Sequence, residues 1–452
     1  MRKRLLFVLS VLVLGAATSI AQPPAAPPAE AKAGPVASPT LPTLPALPTL
    51  QPTPLPTPLA LPVYSPASAS GDPQFWASAD YLLWWVKKAP LPPVVTTGAF
   101  DPDTFDPTVN PSPGAIGTAD TVFLRGGRGI DLGTFSGLQA RAGYWFDDRR
   151  TIGVEAGAFL LERRSASYTA TSDANGVPLL KVPYFDTSTG QEIGANVTFA
   201  NDTANQIGGL VGSVSVVNTL RFWGADAAVA YNVYDNKLLR FDALVGLRYL
   251  DLDESVRIFQ SATPIGQPLI AGFLGNDVPI GATLTSLDNF HTRNQFYGGT
   301  VGGRAYVQVF DSLGVSLLGR VGLGVTEQRS AVGGLSTLIM PGVPTMTAQG
   351  GTLALPSNSG IRRGSDFTVV PEVNLNVHYQ VTSYLTATVG YNYLYWSSVV
   401  RPGNQIDHNV DSRQIPTVQN YDPGVVATSP APMLKRTDFW ANGVNFGLSF
   451  QF

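Results

Sequence analysis

The sequence contains no cysteine and only three histidines, His291, His378 and His408. Disulfide staples and thiol chemistry are therefore excluded, although that absence does not fix the compartment. Charge is scarce too: Asp, Glu, Lys and Arg make up 13% of the chain, about half the usual globular share. The net charge of −3 supplies no basic field, so nucleic acid is not an expected partner. After the N-terminus no apolar run reaches the roughly 18 residues that a membrane helix requires. Metal-ligand spacings, a Walker-type loop and a nucleophile elbow are missing, so no metal, cofactor or enzymatic activity is expected. What the chain does have is glycine (46 residues), aromatics (10%) and hydrophobic residues (44%) over 452 positions. Low charge without helical spans, with abundant Gly, Thr, Tyr and Asn, suits a membrane β-barrel.

The N-terminus reads as an export signal. Arg2, Lys3 and Arg4 precede an apolar run from Leu5 to Leu14, and Ser19-Ile20-Ala21 supplies small residues for cleavage after Ala21. Residues 1–21 are thus an expected signal peptide. Residues 22–71 are dominated by Pro, Ala, Thr and Leu. Proline fixes φ and removes donors, so this stretch is expected to be a disordered, polyproline-like tether, either a passive leader or a contact to the cell wall.

The remaining span, 72–452, is expected to be the barrel domain. At the C-terminus Val444, Phe446, Leu448, Phe450 and Phe452 alternate with Gly443, Asn445, Gly447, Ser449 and Gln451. One greasy and one polar side describe a strand between two environments. Phe446, Leu448, Phe450 and Phe452 also form a pattern read by the barrel-assembly machinery. A first strand begins at Phe75. Four hairpins follow, with runs starting at Leu138 and Ile152, Trp223 and Leu239, Tyr297 and Leu313, and Phe367 and Leu385. Pro371 predicts a bulge or local break in its strand. The count is ten strands, or twelve if a further hairpin lies around 192–217. Short turns alternate with long connections at roughly 87–134, 162–218, 251–296, 327–366 and 397–438. The fold class is therefore an all-β, transmembrane, antiparallel up-and-down barrel with long extracellular loops.

Two aromatic belts are expected. Tyr144, Phe146, Tyr231, Tyr379, Phe450 and Phe452 fall at the short-turn ends; Trp85, Trp223, Tyr249, Tyr297, Tyr395 and Trp440 fall at the long-loop ends. The polar side of the strands carries Asp80, Glu155, Asp226, Asp242 and Glu372 against Arg141, Arg240, Arg248, Arg304 and Arg320. Such a balanced set either lines a narrow pore as a transverse field or forms a salt-bridge network that fills a small barrel. Barrels of eight strands are just filled by side chains, and ten lies near that end. His378 sits on the interior side and is expected to be a satisfied interior or rim histidine rather than a catalytic base.

Several stretches resemble one family. They are W-A-S-A-D-Y-L-L-W-W from Trp76, S-G-L-Q-A-R-A-G-Y-W-F-D-D from Ser136 and I-G-V-E-A-G-A-F-L-L-E from Ile152. R-F-D-A-L-V-G-L-R-Y-L-D-L-D-E from Arg240 and F-W-A-N-G-V-N-F-G-L-S-F from Phe439 complete the set. In that order they resemble the BBP7 family of outer-membrane β-barrels. The resemblance implies an outer-membrane barrel of a diderm bacterium, in contact with outer-membrane lipid, and brings no functional residues with it. The expected function is passive passage of small solutes or ions; the alternative is a non-conducting structural or surface-recognition barrel.

Overall fold

The computed structural model describes residues 74–99, 112–236, 238–426 and 428–452. The expected signal peptide and tether lie outside the described residues. Ten strands close into a ring: β1 (Phe75–Val86), β2 (Phe135–Trp145), β3 (Ile152–Leu161), β4 (Leu210–Asp235), β5 (Leu239–Pro264), β6 (Thr283–Phe310), β7 (Leu313–Ile339), β8 (Gly360–Gln380), β9 (Leu385–Val400) and β10 (Arg436–Gln451). Every neighbouring pair is antiparallel, and β10 returns to pair with both β9 and β1. The number of ring strands is ten. Two extra strands, Arg164–Thr171 on β4 and Met346–Gln349 on β7, join the sheet only beyond the ring's short-turn half.

The tight turns explain themselves locally. Asp147 accepts from the backbone N–H of Thr151 and Ile152 at 2.7 and 3.2 Å. Asn236 accepts from Leu238 and Leu239 at 2.8 and 2.7 Å. Short Asx side chains that bind their own downstream backbone close hairpins without a long loop. Pro371 acts on one ladder only. Toward β7 the register runs through it without a shift, whereas the β8–β9 ladder ends at Glu372–Leu394. Its missing N–H faces β9.

The strands are longer than a membrane needs. β6 has 28 residues, against the 9–11 that span a bilayer. Much of what the sequence suggested as loop at 251–296 and 327–366 is continuing sheet, and the true connections shrink to 265–282 and 340–359. The reason is a reversal of the hydrophobic alternation. Within the first half of β5, Phe241, Val245 and Leu247 face outward and Leu247 is 70% exposed. Beyond Tyr249 the inward residues Leu250, Leu252, Val256 and Ile258 become the apolar ones, and Leu252 is 0% exposed. The outward ones become Asp253, Ser255 and Arg257. The first half meets lipid outside, and the second half meets water outside and a packed core inside.

That core forms a head over the long-connection end. A five-stranded sheet contains Val95–Thr97, Val122–Arg125, Leu180–Asp186, Gln191–Thr198 and Asn409–Val410. It packs on the inward residues Val214, Val216, Val256, Ile258 and Phe290 of the extended ring strands.

The reversal yields a paired prediction on one strand face. Val245→Arg, at mid-depth of the lipid-facing segment, lowers stability by about 2–4 kcal/mol. Ser255→Arg, further along the same face, changes it by under about 0.5 kcal/mol. Urea unfolding of both variants in micelles measures the contrast, and equal losses would place the membrane boundary elsewhere.

Candidate functional site

The lumen carries the chemistry. All ten charges expected on the interior side do face it, and nine form one continuous alternating chain. Arg240 reaches Asp242 at 3.0 Å, and Arg304 joins Asp242 at 3.4 Å to Glu155 at 2.8 Å. Arg141 links Glu155 at 3.3 Å to Asp226 at 2.8 Å. Arg320 grips both oxygens of Asp226, at 2.7 and 2.9 Å, and continues to Glu372 at 2.9 Å. Arg248 ends the chain on Glu372. The tenth charge, Asp80, accepts instead from Asn445 at 3.0 Å.

Two of these pairings are set by sheet register: Asp242 stands opposite Arg304, and Arg320 opposite Glu372. Cross-strand opposite charges stabilise a ladder locally. Others join strands that are not neighbours. Arg304 on β6 meets Glu155 on β3, and Arg320 on β7 meets Asp226 on β4. Those bonds span the lumen. Glycine makes room for them: a Cβ at Gly157 would stand 2.9 Å from Arg141 Cγ, and one at Gly447 would stand 2.1 Å from Asp80 Oδ1. Alternation of sign places each carboxylate of the chain between two arginines, and Asp235 meets the Arg240 end at 3.1 Å; an isolated charge in a low-dielectric interior is costly.

Toward the short-turn end lies a polar cavity of about 480 Å³, bordered by Trp76, Arg141, Tyr306, His378, Asn445 and Gln451. His378 Nε2 lies 2.7 Å from Ser316 Oγ and its Nδ1 3.1 Å from Thr388 Oγ1. Both ring nitrogens are thus engaged by hydroxyls, with no carboxylate on either.

Toward the head, a stack of aromatic rings closes the lumen. Phe222 of β4 packs at 5.1 Å on Phe159 of β3, at 5.2 Å on Phe439 of β10 and at 6.4 Å on Trp396 of β9. Phe296 of β6 meets Trp396 at 6.2 Å. Phe222, Phe296, Trp396 and Phe439 are fully buried. The Trp396 indole N–H donates to Thr326 Oγ1 at 2.8 Å, so the stack buries no free donor there. Sequence reasoning missed this plug. Its signal is the aromatic-rich doublets Trp84-Trp85, Phe222-Trp223, Phe296-Tyr297, Tyr395-Trp396 and Phe439-Trp440, in which one ring joins the outer belt and its neighbour points inward.

Above the plug, Arg401 and Glu254 form a buried pair that sequence reasoning also left in loops. Arg401 Nε and Nη2 contact Glu254 at 2.9 and 2.6 Å, while Nη1 donates to the carbonyls of Lys87 and Lys88 at 3.1 and 2.8 Å. One guanidinium ties the connection after β9 to that after β1 and to β5. In the head, burial pushes the Asp288 carboxyl up to about 6, although its Oδ1 accepts three backbone N–H groups from Thr352, Leu353 and Ala354. Burial lowers the Lys181 ammonium to about 8, and Ser112 Oγ is its hydrogen-bond partner.

A profile of the family described as "Putative beta barrel porin-7 (BBP7)" matches residues 76–452. The chain belongs to this family. No curated protein matches it. Among solved structures, the outer membrane protease OmpT from Escherichia coli aligns at 9% identity and a TM-score of 0.37, over 84% of this chain and 97% of that one. The Pseudomonas putida toluene transporter TodX aligns at 6% identity and a TM-score of 0.17, over 84% and 90%. A Pseudomonas aeruginosa FadL homologue aligns at 9% identity and 0.19, over 84% and 90%. Scores of that size carry no functional argument, so the family membership stands on the BBP7 match. It agrees with the lipid-facing ring in placing the chain among outer-membrane β-barrel proteins.

Two outcomes follow for this BBP7 chain. Arg320→Met leaves Asp226 and Glu372 short of a buried partner and costs about 3–5 kcal/mol, read as a lower urea midpoint. Lys181 has a folded pKa below its unfolded one, so the unfolded chain binds more protons between about pH 8 and 10.5. Stability therefore rises with pH through that window and is lowest below it. Lys181→Met removes the slope and raises stability at pH 7, by about 3 kcal/mol at 1.36 kcal/mol per unit, in thermal unfolding followed from pH 7 to 10.

Proposed function

We propose that this protein is a non-conducting barrel of the outer membrane of a diderm bacterium, which carries a folded head on its extracellular side. The head serves as a structural or surface-recognition element rather than as the mouth of a pore. The carrying observation is the aromatic stack, in which Phe222 contacts both Phe439 and Trp396 across the lumen. Rings from opposite walls with centroids 5.2 and 6.4 Å apart oppose an aqueous path at that level, because close-packed side chains leave few water-sized voids. The ion-pair chain beneath it supports the same reading, because its members pair with one another across the lumen. The protein is, on this reading, not an enzyme, and His378 orders its hydroxyl neighbours.

The family description and the polar cavity at the short-turn end favour a second reading, passive passage of small solutes or ions. It requires the stack to move aside. In either reading Phe446, Leu448 and Phe450 of β10, and Phe452 just after it, face outward at the ring's seam, where lipid and the assembly machinery meet them.

Planar-bilayer recording separates the two. The wild-type protein is expected to show no channel steps at any voltage, and the double substitution Phe222→Ala/Trp396→Ala is expected to produce them. Steps from the wild-type protein would remove the closed-barrel reading and restore the channel.

A further inference from the structure

We propose that a row of arginines on the outer face of β6, β7 and β8 binds the phosphate groups of outer-leaflet lipid headgroups. Register sets Tyr297, Val325 and Phe367 side by side, and all three are exposed apolar residues at the upper edge of the lipid-facing band. Four positions further along the same strands, register sets Arg293, Arg329 and Arg363 side by side. A period of two keeps both rows on one outward face.

This arrangement is unfavourable without an anion. Like charges directly opposite one another on neighbouring strands repel, and Cα atoms so paired stand only about 4.5–5.5 Å apart. Asp251, at 2.6 Å, and Asp253, directly opposite on β5, relieve Arg293. Arg329 and Arg363 form no ion pair among the described residues, and the buried Nε of Arg329 has no hydrogen-bond partner. Glu327 lies two positions toward the membrane on β7 and is also unpaired among the described residues. One carboxylate thus stands against two guanidinium groups.

Position selects the anion. Four residues at about 3.3 Å each, on strands tilted by roughly 40°, raise the row about 10 Å above the apolar edge. Arginine stems can snorkel part of the way back and so reach phosphates at headgroup depth. Forks of this kind grip phosphate oxygens bidentately. A lipid held there lays its acyl chains along Tyr297, Val325 and Phe367, which a free anion cannot do. The inference uses the outer-membrane setting of the proposed function and is independent of whether the lumen conducts.

The test is native mass spectrometry of the full chain in micelles with three added probes: a bisphosphorylated lipid A, the same lipid dephosphorylated, and phosphatidylcholine. Wild-type protein is expected to retain the bisphosphorylated lipid at least tenfold better than the other two. Arg329→Gln/Arg363→Gln is expected to lose that preference, whereas Arg257→Gln, an exposed arginine further out on β5, is expected to keep it. Millimolar inorganic phosphate is expected not to displace the lipid. Equal retention of the phosphorylated and dephosphorylated lipids by wild-type protein would overturn the proposal, even if the double variant failed to fold. Unchanged preference in a folded double variant, displacement by inorganic phosphate, or equal loss in Arg257→Gln would overturn it as well. Bilayer conductance plays no part, so this result and that of the channel recording stand apart.

Discussion

In hydrocarbon an unpaired backbone N–H or C=O has no water to turn to, and each one left open costs several kcal/mol. The whole molecule follows from meeting that constraint with strands. The first and last strands must find each other, and they do so residue by residue, from Trp76 opposite Gln451 to Val86 opposite Ala441. Closure removes the edge that would make the aromatic C-terminal strand an aggregation hazard. It also creates an inside, whose contents the sequence must then choose.

The choice changes along each strand because the solvent changes while the pleat does not. Side chains keep alternating in and out with a period of two, yet the apolar set moves from the odd to the even residues near Tyr249 and Leu250. At the crossing both faces are apolar: lipid headgroups lie on one side and the plug on the other. Doublets such as Phe222-Trp223 and Phe296-Tyr297 are the consequence, and they mark the boundary more sharply than either belt alone.

This explains what was legible in the sequence. Strand order, the ten-strand ring and the inward charges could be read because one rule, apolar outward and polar inward, holds through the lipid-facing half. The rule fails at L-D-L-D-E after Tyr249, where alternation persists with its faces exchanged. By that rule the strands end there, and neither the head nor its Arg401–Glu254 tie leaves a local signal. The pairing of Arg304 with Glu155 and of Arg320 with Asp226 was equally out of reach. Cross-lumen partners depend on which strands stand opposite in the closed ring, and no local spacing records that. Register pairs such as Asp242 and Arg304 are different in kind, since a continuous ladder between neighbouring strands sets them opposite one another.

A ten-strand ring does not by itself decide whether its lumen is open, because interior side-chain volume can fill it or leave a gap. Here both kinds of filler are used, at different depths. Paired charges sit where lipid surrounds the barrel, and the strength of ionic contacts in a dry interior lets a few long arginines bridge the walls. Aromatic rings sit higher, where the extended strands already enclose an apolar core that continues into the head. The plug is thus the lower end of the head's core rather than an isolated obstruction. To open the lumen, rings shared by β4, β6, β9 and β10 would have to leave a packed interior together. Such a cooperative cost favours two discrete states over a gradual leak, which is the behaviour that the proposed closed barrel requires.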